Sequence, residues 1–268
     1  MPELPEVETT VRGLEAVLKG RRLNRVEPRR PDLRRAMPED IGQRLTGARV
    51  TDLRRRAKYG LISTDRGDTL IFHLGMSGHW RIDPAELDKH DHLLVETDDG
   101  RRLTLNDARR FGTLDLVPTD EVEDWPAFRA LGPEPFDLDP KWLKARFQGR
   151  SAPIKVLLLD QRIIAGLGNI YACEALFHSG IHPARVAGSV SVARLNKLAA
   201  AIDKVLDEAI SAGGSSLRDF ASPDGTLGYF SKHFAVYDRE GQPCGKGGTV
   251  RRIVQGGRST FFCPKCQH

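Results

Sequence analysis

The first residues of the chain, Met1, Pro2 and Glu3, combine two groups that can act on an electrophilic carbon. A small residue in second position normally permits removal of the initiator methionine, which would leave Pro2 with a free secondary amine. An α-amino group has a pKa of about 7.7–8.0, so a fraction of it is uncharged at neutral pH. Its attack on a sugar C1′ or an aldehyde would give an iminium ion that favours elimination, as Schiff-base nucleophiles do. Glu3 is a candidate acid or base beside it.

The same residues also fit a purely structural interpretation. Apolar residues recur at helical spacing over residues 4–20, Pro5 suits the first turn of a helix and Gly20 suits its end. The sequence therefore predicts a helix that begins directly after Glu3. On this stretch alone, Pro2 and Glu3 could be helix-initiating residues and nothing more.

A second candidate for chemistry is the group of cysteines near residue 268. Cys263 and Cys266 form a C-x-x-C pair, whereas Gly247 stands where a matching partner of Cys244 would fall. Structural zinc sites normally have four protein ligands in a tetrahedron. We predict one structural Zn²⁺ on Cys244, Cys263 and Cys266, and the fourth ligand stays open between His268, water and another side chain. Weak zinc binding is one alternative, and a metal-free hairpin is another, packed by Val254, Phe261 and Phe262. Cys173 lies in a predicted helix and is expected to behave as a small apolar residue.

The charge distribution favours an anionic partner. The chain has 41 Lys and Arg against 36 Asp and Glu, a net charge of +5, and residues 243–268 contain no acidic residue. Two further basic clusters lie in residues 21–35 and 54–58, and a pattern of this kind is typical of nucleic-acid binding. No stretch reaches the roughly 18 apolar residues of a membrane span, so we expect no membrane partner. The cysteine usage favours a reducing, cytoplasmic location.

The elements that must position these residues fall into four predicted segments. Residues 1–131 are predicted to form a β-rich domain led by one helix, with a hairpin at Asp99–Gly100, and residues 132–150 to form a linker. Residues 151–234 are predicted to be helical, with a long helix over 191–214 capped by Ser191. Residues 235–268 are predicted to form a β-hairpin.

Several motifs together closely resemble those of bacterial formamidopyrimidine-DNA glycosylases, within the formamidopyrimidine-DNA glycosylase/endonuclease VIII family. They are MPELPEVETT, RRAKYG, KHDH, ARRFG, GLGNIYACEALF and the cysteine hairpin, and they run from Met1 to Gln267. LPEVE resembles the branch that acts on purine lesions. The chain departs from the family's C-x2-C-x16-C-x2-C finger at Gly247, and its inner spacing is one residue short.

The resemblance implies an α+β multidomain fold. Its parts would be an N-terminal β-sandwich with a leading helix, a helix–two-turn–helix domain and a C-terminal zinc-finger-type β-hairpin. It implies a bifunctional DNA glycosylase and AP lyase for oxidised purines, acting as a monomer on double-stranded DNA with oxidised bases or abasic sites, in the bacterial cytoplasm at the nucleoid. An endonuclease VIII-like enzyme for oxidised pyrimidines and a non-catalytic damaged-DNA-binding protein are the alternatives.

The resemblance also implies roles for individual residues. Pro2 would form the Schiff base, Glu3 would assist departure of the base, and Lys58 and Arg258 would hold the backbone and support the elimination steps. Met76, Arg109 and Phe111 would fill the gap left by the flipped nucleotide. The other implied DNA contacts are His90, Arg150, Lys155 and Asn169. Loop 215–228 would cover the extruded base.

Overall fold

The computed structural model describes residues 1–136, 138–215, 223, 225 and 228–268. The described chain forms two compact units. The first comprises Met1–Arg129 together with Ala212–Tyr229, and the second comprises Ala130–Ser211 together with Phe230–His268. The predicted covering loop, residues 215–228, lies largely outside the described residues.

The first unit opens with helix α1 (Leu4–Leu18), whose apolar face is buried at Val7, Val11, Leu14 and Leu18. Its described residues also form the strands β1 (Leu23–Pro28), β2 (Val50–Arg56), β3 (Tyr59–Thr64), β4 (Asp68–His73), β5 (His79–Ile82), β6 (Asp91–Thr97), β7 (Arg102–Asn106) and β8 (Thr113–Pro118). They include two short helices as well, α2 (Ile41–Leu45) and α3 (Pro126–Arg129).

The strands form two antiparallel four-stranded sheets, ordered β1-β6-β7-β5 and β2-β3-β4-β8. Both sheets contribute to one buried apolar core that also includes the inner face of α1. Within that core, Phe72 of β4 and Trp80 of β5 pack edge to face with ring centroids 5.6 Å apart. Two sheets with a shared core are a β-sandwich, as predicted.

The second unit contains helices α4 (Pro140–Phe147), α5 (Ile154–Leu158), α6 (Asn169–His178) and α7 (Val192–Ser211). Helix α6 is buried on almost all sides, and α7 packs its apolar face against it. Strands β9 (Arg251–Gln255) and β10 (Arg258–Phe262) form an antiparallel hairpin around a Gly256–Gly257 turn in which both glycines have positive φ. Among the described residues, no helix combines the length and apolarity that a membrane crossing requires.

Candidate active site and metal centre

The N-terminus is fixed by a capping box on α1. Pro2 is buried and Glu3 is 2% exposed, whereas Met1 is 49% exposed. The backbone N–H of Glu3 donates to Glu6 Oε2 at 2.8 Å. The other oxygen of Glu6 accepts hydrogen bonds from the N–H and the hydroxyl of Ser215, at 2.8 and 2.9 Å. Glu6 therefore ties the first turn of α1 to the start of the predicted covering loop, a role that the sequence had not indicated.

Lys58 lies in the two-residue turn that joins β2 to β3 and is 7% exposed. Its neighbour Ala57 has a φ of 53°, a left-handed conformation that non-glycine residues rarely adopt. Arg55 holds this turn, because its guanidinium donates to the carbonyl oxygen of Ala57 at 3.0 Å and to Glu8 of α1 at 2.8 Å. The turn with Lys58 is thus attached to the helix that begins at Glu3.

His73, at the end of β4, supports the loop that follows it. Its Nδ1 accepts a hydrogen bond from the backbone N–H of Gly75 at 3.0 Å, which requires an unprotonated Nδ1. Burial, together with the positive charge of Lys58, lowers the pKa of His73 to about 4. His73 is therefore neutral at physiological pH.

The three predicted gap-filling residues lie on two adjacent loops. Met76 and Phe111 are 38% and 40% exposed, and the guanidinium carbon of Arg109 lies 4.9 Å from the centroid of the Phe111 ring. Gly75 brings the loops together, since a Cβ at this position would lie 2.3 Å from the carbonyl carbon of Phe111. Methionine and phenylalanine more often lie in a core, but the structure places both of these side chains on the surface.

The Asp107 carboxylate, which is fully buried, connects these two loops. It accepts hydrogen bonds from the Ser77 hydroxyl and from the backbone N–H of Gly112, both at 2.7 Å. Sequence reasoning missed Asp107, although an acidic residue directly before the ARRFG motif was an available signal.

His90 is partly exposed, and its carbonyl oxygen accepts a hydrogen bond from the backbone N–H of Asp107 at 3.0 Å. The neighbouring His92 is buried, and its Nε2 lies 2.9 Å from the carbonyl oxygen of Asp107. Burial lowers the pKa of His92, so it is a neutral internal group. The two histidines thus differ in environment, and His90 is the one that faces outward.

In the second unit, Arg258 is exposed at the first position of β10, directly after the Gly256–Gly257 turn. The next two residues of the strand are held from inside the unit. Lys155 is fully buried, and its Nζ donates to Asn169 Oδ1 and Thr260 Oγ1, both at 2.6 Å, and to the Ser259 carbonyl oxygen at 3.3 Å.

Asn169 completes this network, because its Nδ2 donates to the same Ser259 carbonyl oxygen at 3.0 Å. Lys155 and Asn169 thus anchor the strand that begins with Arg258. A direct phosphate contact by Lys155 or Asn169 remains a prediction. The hydrogen bonds support a structural role in which both residues hold β10 in place. Arg150 is exposed shortly after the end of α4.

Two further contacts hold the hairpin segment on α6. The buried Glu174 carboxylate accepts hydrogen bonds from three consecutive backbone N–H groups, those of residues 235–237, at 2.8 to 3.0 Å. An apolar cluster joins α6 to the hairpin through Cys173, Phe177, Val236, Cys244, Val250, Phe261 and Cys263. Cys173 is a buried apolar contact, as predicted.

The hairpin itself is present, but the packing proposed for a metal-free hairpin was wrong at one residue. Phe261 and Phe262 are buried as expected, whereas Val254 is 68% exposed. Val254 pairs with Ser259 in the two-stranded ribbon and its side chain faces solvent.

The sulfur atoms of Cys244, Cys263 and Cys266 all lie within 4.8 Å of one another, with the first and the last 3.6 Å apart. Burial raises the pKa of the Cys266 thiol, and the two neighbouring sulfurs raise it further. Burial also raises the pKa of the Cys244 thiol, but hydrogen bonds with the backbone amides of Lys246 and Gly248 and with the two other cysteines together outweigh burial and lower this pKa to about 7. Three thiolates this close repel each other unless a cation lies between them, so the cluster fits one structural zinc. Within the described part of the chain, His268 is not part of the group.

Comparisons with known proteins agree with this architecture. Three family models match: the formamidopyrimidine-DNA glycosylase N-terminal domain over residues 1–114, the formamidopyrimidine-DNA glycosylase H2TH domain over residues 131–221, and the zinc finger found in FPG and IleRS over residues 241–268. Relatives named formamidopyrimidine-DNA glycosylase include those of Novosphingobium aromaticivorans and Rhizorhabdus wittichii, 64% and 62% identical over the full length of both chains.

Solved structures of the same family are similar to this chain over its whole length. A Lactococcus lactis FPG variant in complex with a Fapy-dG-containing DNA has a TM-score of 0.92 and 34% identity, with both chains fully covered. The Lactococcus lactis protein in complex with an abasic-site-containing DNA has the same TM-score and identity. The chain belongs to the formamidopyrimidine-DNA glycosylase family, which confirms both the family and the fold class predicted from the sequence.

Proposed function

We propose that the protein is a bifunctional DNA glycosylase and AP lyase of base-excision repair, which removes oxidised purines and then nicks the strand. The observation that carries this proposal is the buried Pro2–Glu3 pair at the start of α1, held by Glu6. Relatives of this family have been solved with Fapy-dG-containing and abasic DNA, which supports the same substrate class here.

The proposed reaction begins after removal of Met1, with the Pro2 nitrogen as nucleophile. Its lone pair attacks C1′ of the flipped nucleotide, the glycosidic bond breaks, and the bond electrons leave with the base. Glu3 donates a proton to assist departure of the base and opening of the sugar. The C1′–O4′ bond then breaks with its electrons on O4′, and the nitrogen loses its proton to give the iminium ion. Loss of the acidic C2′ proton expels the 3′ phosphate, and loss of the C4′ proton then expels the 5′ phosphate.

Lys58 and Arg258 are proposed to support the lyase steps through the phosphates around the lesion. Lys58 is attached to α1 through Arg55, which supports a role near the N-terminal amine. Arg258 is exposed on an anchored strand, which suits a guanidinium that grips a phosphate.

Met76, Arg109 and Phe111 are proposed to fill the space left by the extruded nucleotide. Flipping a base costs a few kcal/mol, and side chains inserted at the kinked step offset part of that cost. The exposure of Met76 and Phe111 on adjacent loops supports this role. His90 and Arg150 are proposed as further backbone contacts, with the bacterial cytoplasm and its nucleoid DNA as the place of action.

Borohydride trapping tests the proposal directly. Protein with a verified Pro2 N-terminus is incubated with duplex DNA carrying 8-oxoguanine opposite cytosine, and the iminium is reduced to a covalent adduct. We expect the adduct to disappear in Pro2→Gly and in a form extended at the N-terminus, and to persist in Lys204→Ala, which changes an exposed lysine of α7. Absence of an adduct with the verified terminus would sink the mechanism. A duplex with an oxidised pyrimidine, tested in parallel, is expected to give less of the covalent adduct.

A further inference from the structure

The three cysteines differ in their access to solvent. Cys263 is fully buried and Cys244 is 4% exposed, whereas Cys266 is only partly buried. The cluster is therefore closed on the side of Cys244 and Cys263, and its accessible side is that of Cys266.

The glycine-rich turn beside the cluster supplies no fourth side chain. A Cβ on Gly248 would lie 2.3 Å from the sulfur of Cys263, so this position packs against the thiols with no room for a donor group. A Cβ on Gly247 would instead lie 3.5 Å from Lys265 Nζ, which donates to the Gly247 carbonyl oxygen at 3.0 Å. Gly247 itself has no side chain, so this position offers no donor atom to a metal.

Two histidines of the second unit lie outside the cysteine group in the described structure. His178 Nε2 is 3.9 Å from the Glu174 carboxylate. His268 is exposed, and its backbone N–H donates to the Gly180 carbonyl oxygen.

We infer that this hairpin holds zinc with three thiolates and that its fourth coordination position is taken by an exchangeable ligand from solution, namely water or a small nitrogen or sulfur donor. Zinc accepts three protein ligands and one solvent ligand without loss of tetrahedral geometry, as its catalytic sites demonstrate. The thiols release their protons to solvent on binding. Three thiolates and Zn²⁺ leave a net charge of −1 at the site, where a four-cysteine site would have −2.

Cobalt(II) spectroscopy on the full-length protein tests this inference, because Co²⁺ takes zinc's place and its visible bands report its ligands. The metal-free protein is titrated with Co²⁺ under reducing, oxygen-free conditions, and imidazole is then added. We expect saturation at one Co²⁺ per chain, a thiolate charge-transfer band, and visible bands that shift with imidazole. Bands that stay unchanged at excess imidazole would mean a closed set of four protein ligands and would overturn the inference, as would failure to bind at 1:1.

Variants distinguish which residues are ligands. Cys266→Ser is expected to lower the charge-transfer intensity by about a third or to abolish binding, whereas Cys173→Ala, His178→Ala and His268→Ala should keep the full spectrum and its response to imidazole. Loss of that response or of a ligand band in any of the three would identify a fourth protein ligand and contradict the inference. The spectra do not depend on DNA, so they separate this result from borohydride trapping, which tests the catalytic proposal alone.

Discussion

At the scale of single residues, Asp107 is the carboxylate that connects the two loops on which Met76 and Phe111 lie. Its two oxygens hold the loop of Met76 through Ser77 and the loop of Phe111 through Gly112. In Asp107→Asn one of these oxygens becomes an NH₂ group that faces a donor. We expect the free energy of unfolding to fall by about 2 kcal/mol, which denaturant titration measures.

DNA affinity provides a second readout for Asp107→Asn. We expect weaker binding to duplexes with a flipped or abasic nucleotide and little change on undamaged duplex. Only the former have a gap that Met76 and Phe111 must fill together. Asp98→Asn, in the exposed turn between β6 and β7, removes the same charge and should leave both quantities unchanged. Equal losses in the two variants would contradict the role assigned to Asp107.

His73 gives the first unit a predictable dependence on pH. Its folded pKa of about 4 lies below the unfolded value of 6.5, so the unfolded chain binds more protons between these values. Stability from the neutral imidazole is present above pH 6.5 and declines as the pH falls toward 4, by up to about 3 kcal/mol. Unfolding titrations between pH 7 and pH 4 should show a smaller decline in His73→Gln, and an unaltered pH profile in that variant would refute this origin.

Sequence reasoning identified residues whose type carries chemistry and missed those that act through buried hydrogen bonds. Pro2, Glu3 and the cysteines could be proposed because amines, carboxylates and thiols have few substitutes. Glu6 could not, because its partner Ser215 is 209 positions away and no local pattern records that contact. The spacing of the cysteines indicated a metal site. The close packing of Gly248 against the Cys263 sulfur could be found only in the structure.

At the scale of elements, the β9–β10 hairpin is attached to the helices by more than its metal site. Lys155 and Asn169 hold β10, and Glu174 holds the segment that precedes β9. In Lys155→Met the Ser259 and Thr260 oxygens lose a charged donor, which we expect to lower the free energy of unfolding by about 1–3 kcal/mol. Strand cleavage should fall as well, because Arg258 begins the loosened strand.

The control for this variant is Lys197→Met, which changes an exposed lysine of α7. Zinc content should remain one ion per chain in both variants, because neither residue contacts the sulfurs. Arg258→Ala combined with Lys155→Met is expected to cleave no less than Arg258→Ala alone. Additive losses would mean that Lys155 acts independently of Arg258.

Periodicity was sufficient for α1 and α7, which begin and end within a few residues of the predicted bounds. It missed β1, because LNRVEP contains three polar residues and a proline and its burial alternates only in part. The structure also groups Ala212–Tyr229 with the first unit, a long-range association that composition does not encode. Val254 was misplaced because an apolar residue in a two-stranded ribbon has no second sheet to cover it.

At the scale of the whole molecule, the net charge of +5 should appear as a steep salt dependence of DNA binding. Each phosphate contact adds about 0.9 to the slope of log K against log salt concentration. Arg258→Ala and Arg150→Ala are each expected to reduce the slope by about that amount, and Lys204→Ala should not. Binding isotherms at several salt concentrations measure the slopes, and equal slopes in all variants would exclude Arg258 and Arg150 as phosphate contacts.

The first unit is built from two stretches of chain, Met1–Arg129 and Ala212–Tyr229. About 100 residues of polypeptide must therefore be translated between the last residue of the first stretch and the end of the second, which takes roughly 5 to 20 s at ribosomal rates. During that interval the nascent chain already displays its N-terminus, but the Ser215 partner of Glu6 has not been synthesised. The proposed reactive amine is thus the first part of the protein to be made, whereas the buried contact that holds the first turn of α1 forms only after Ser215 has been added.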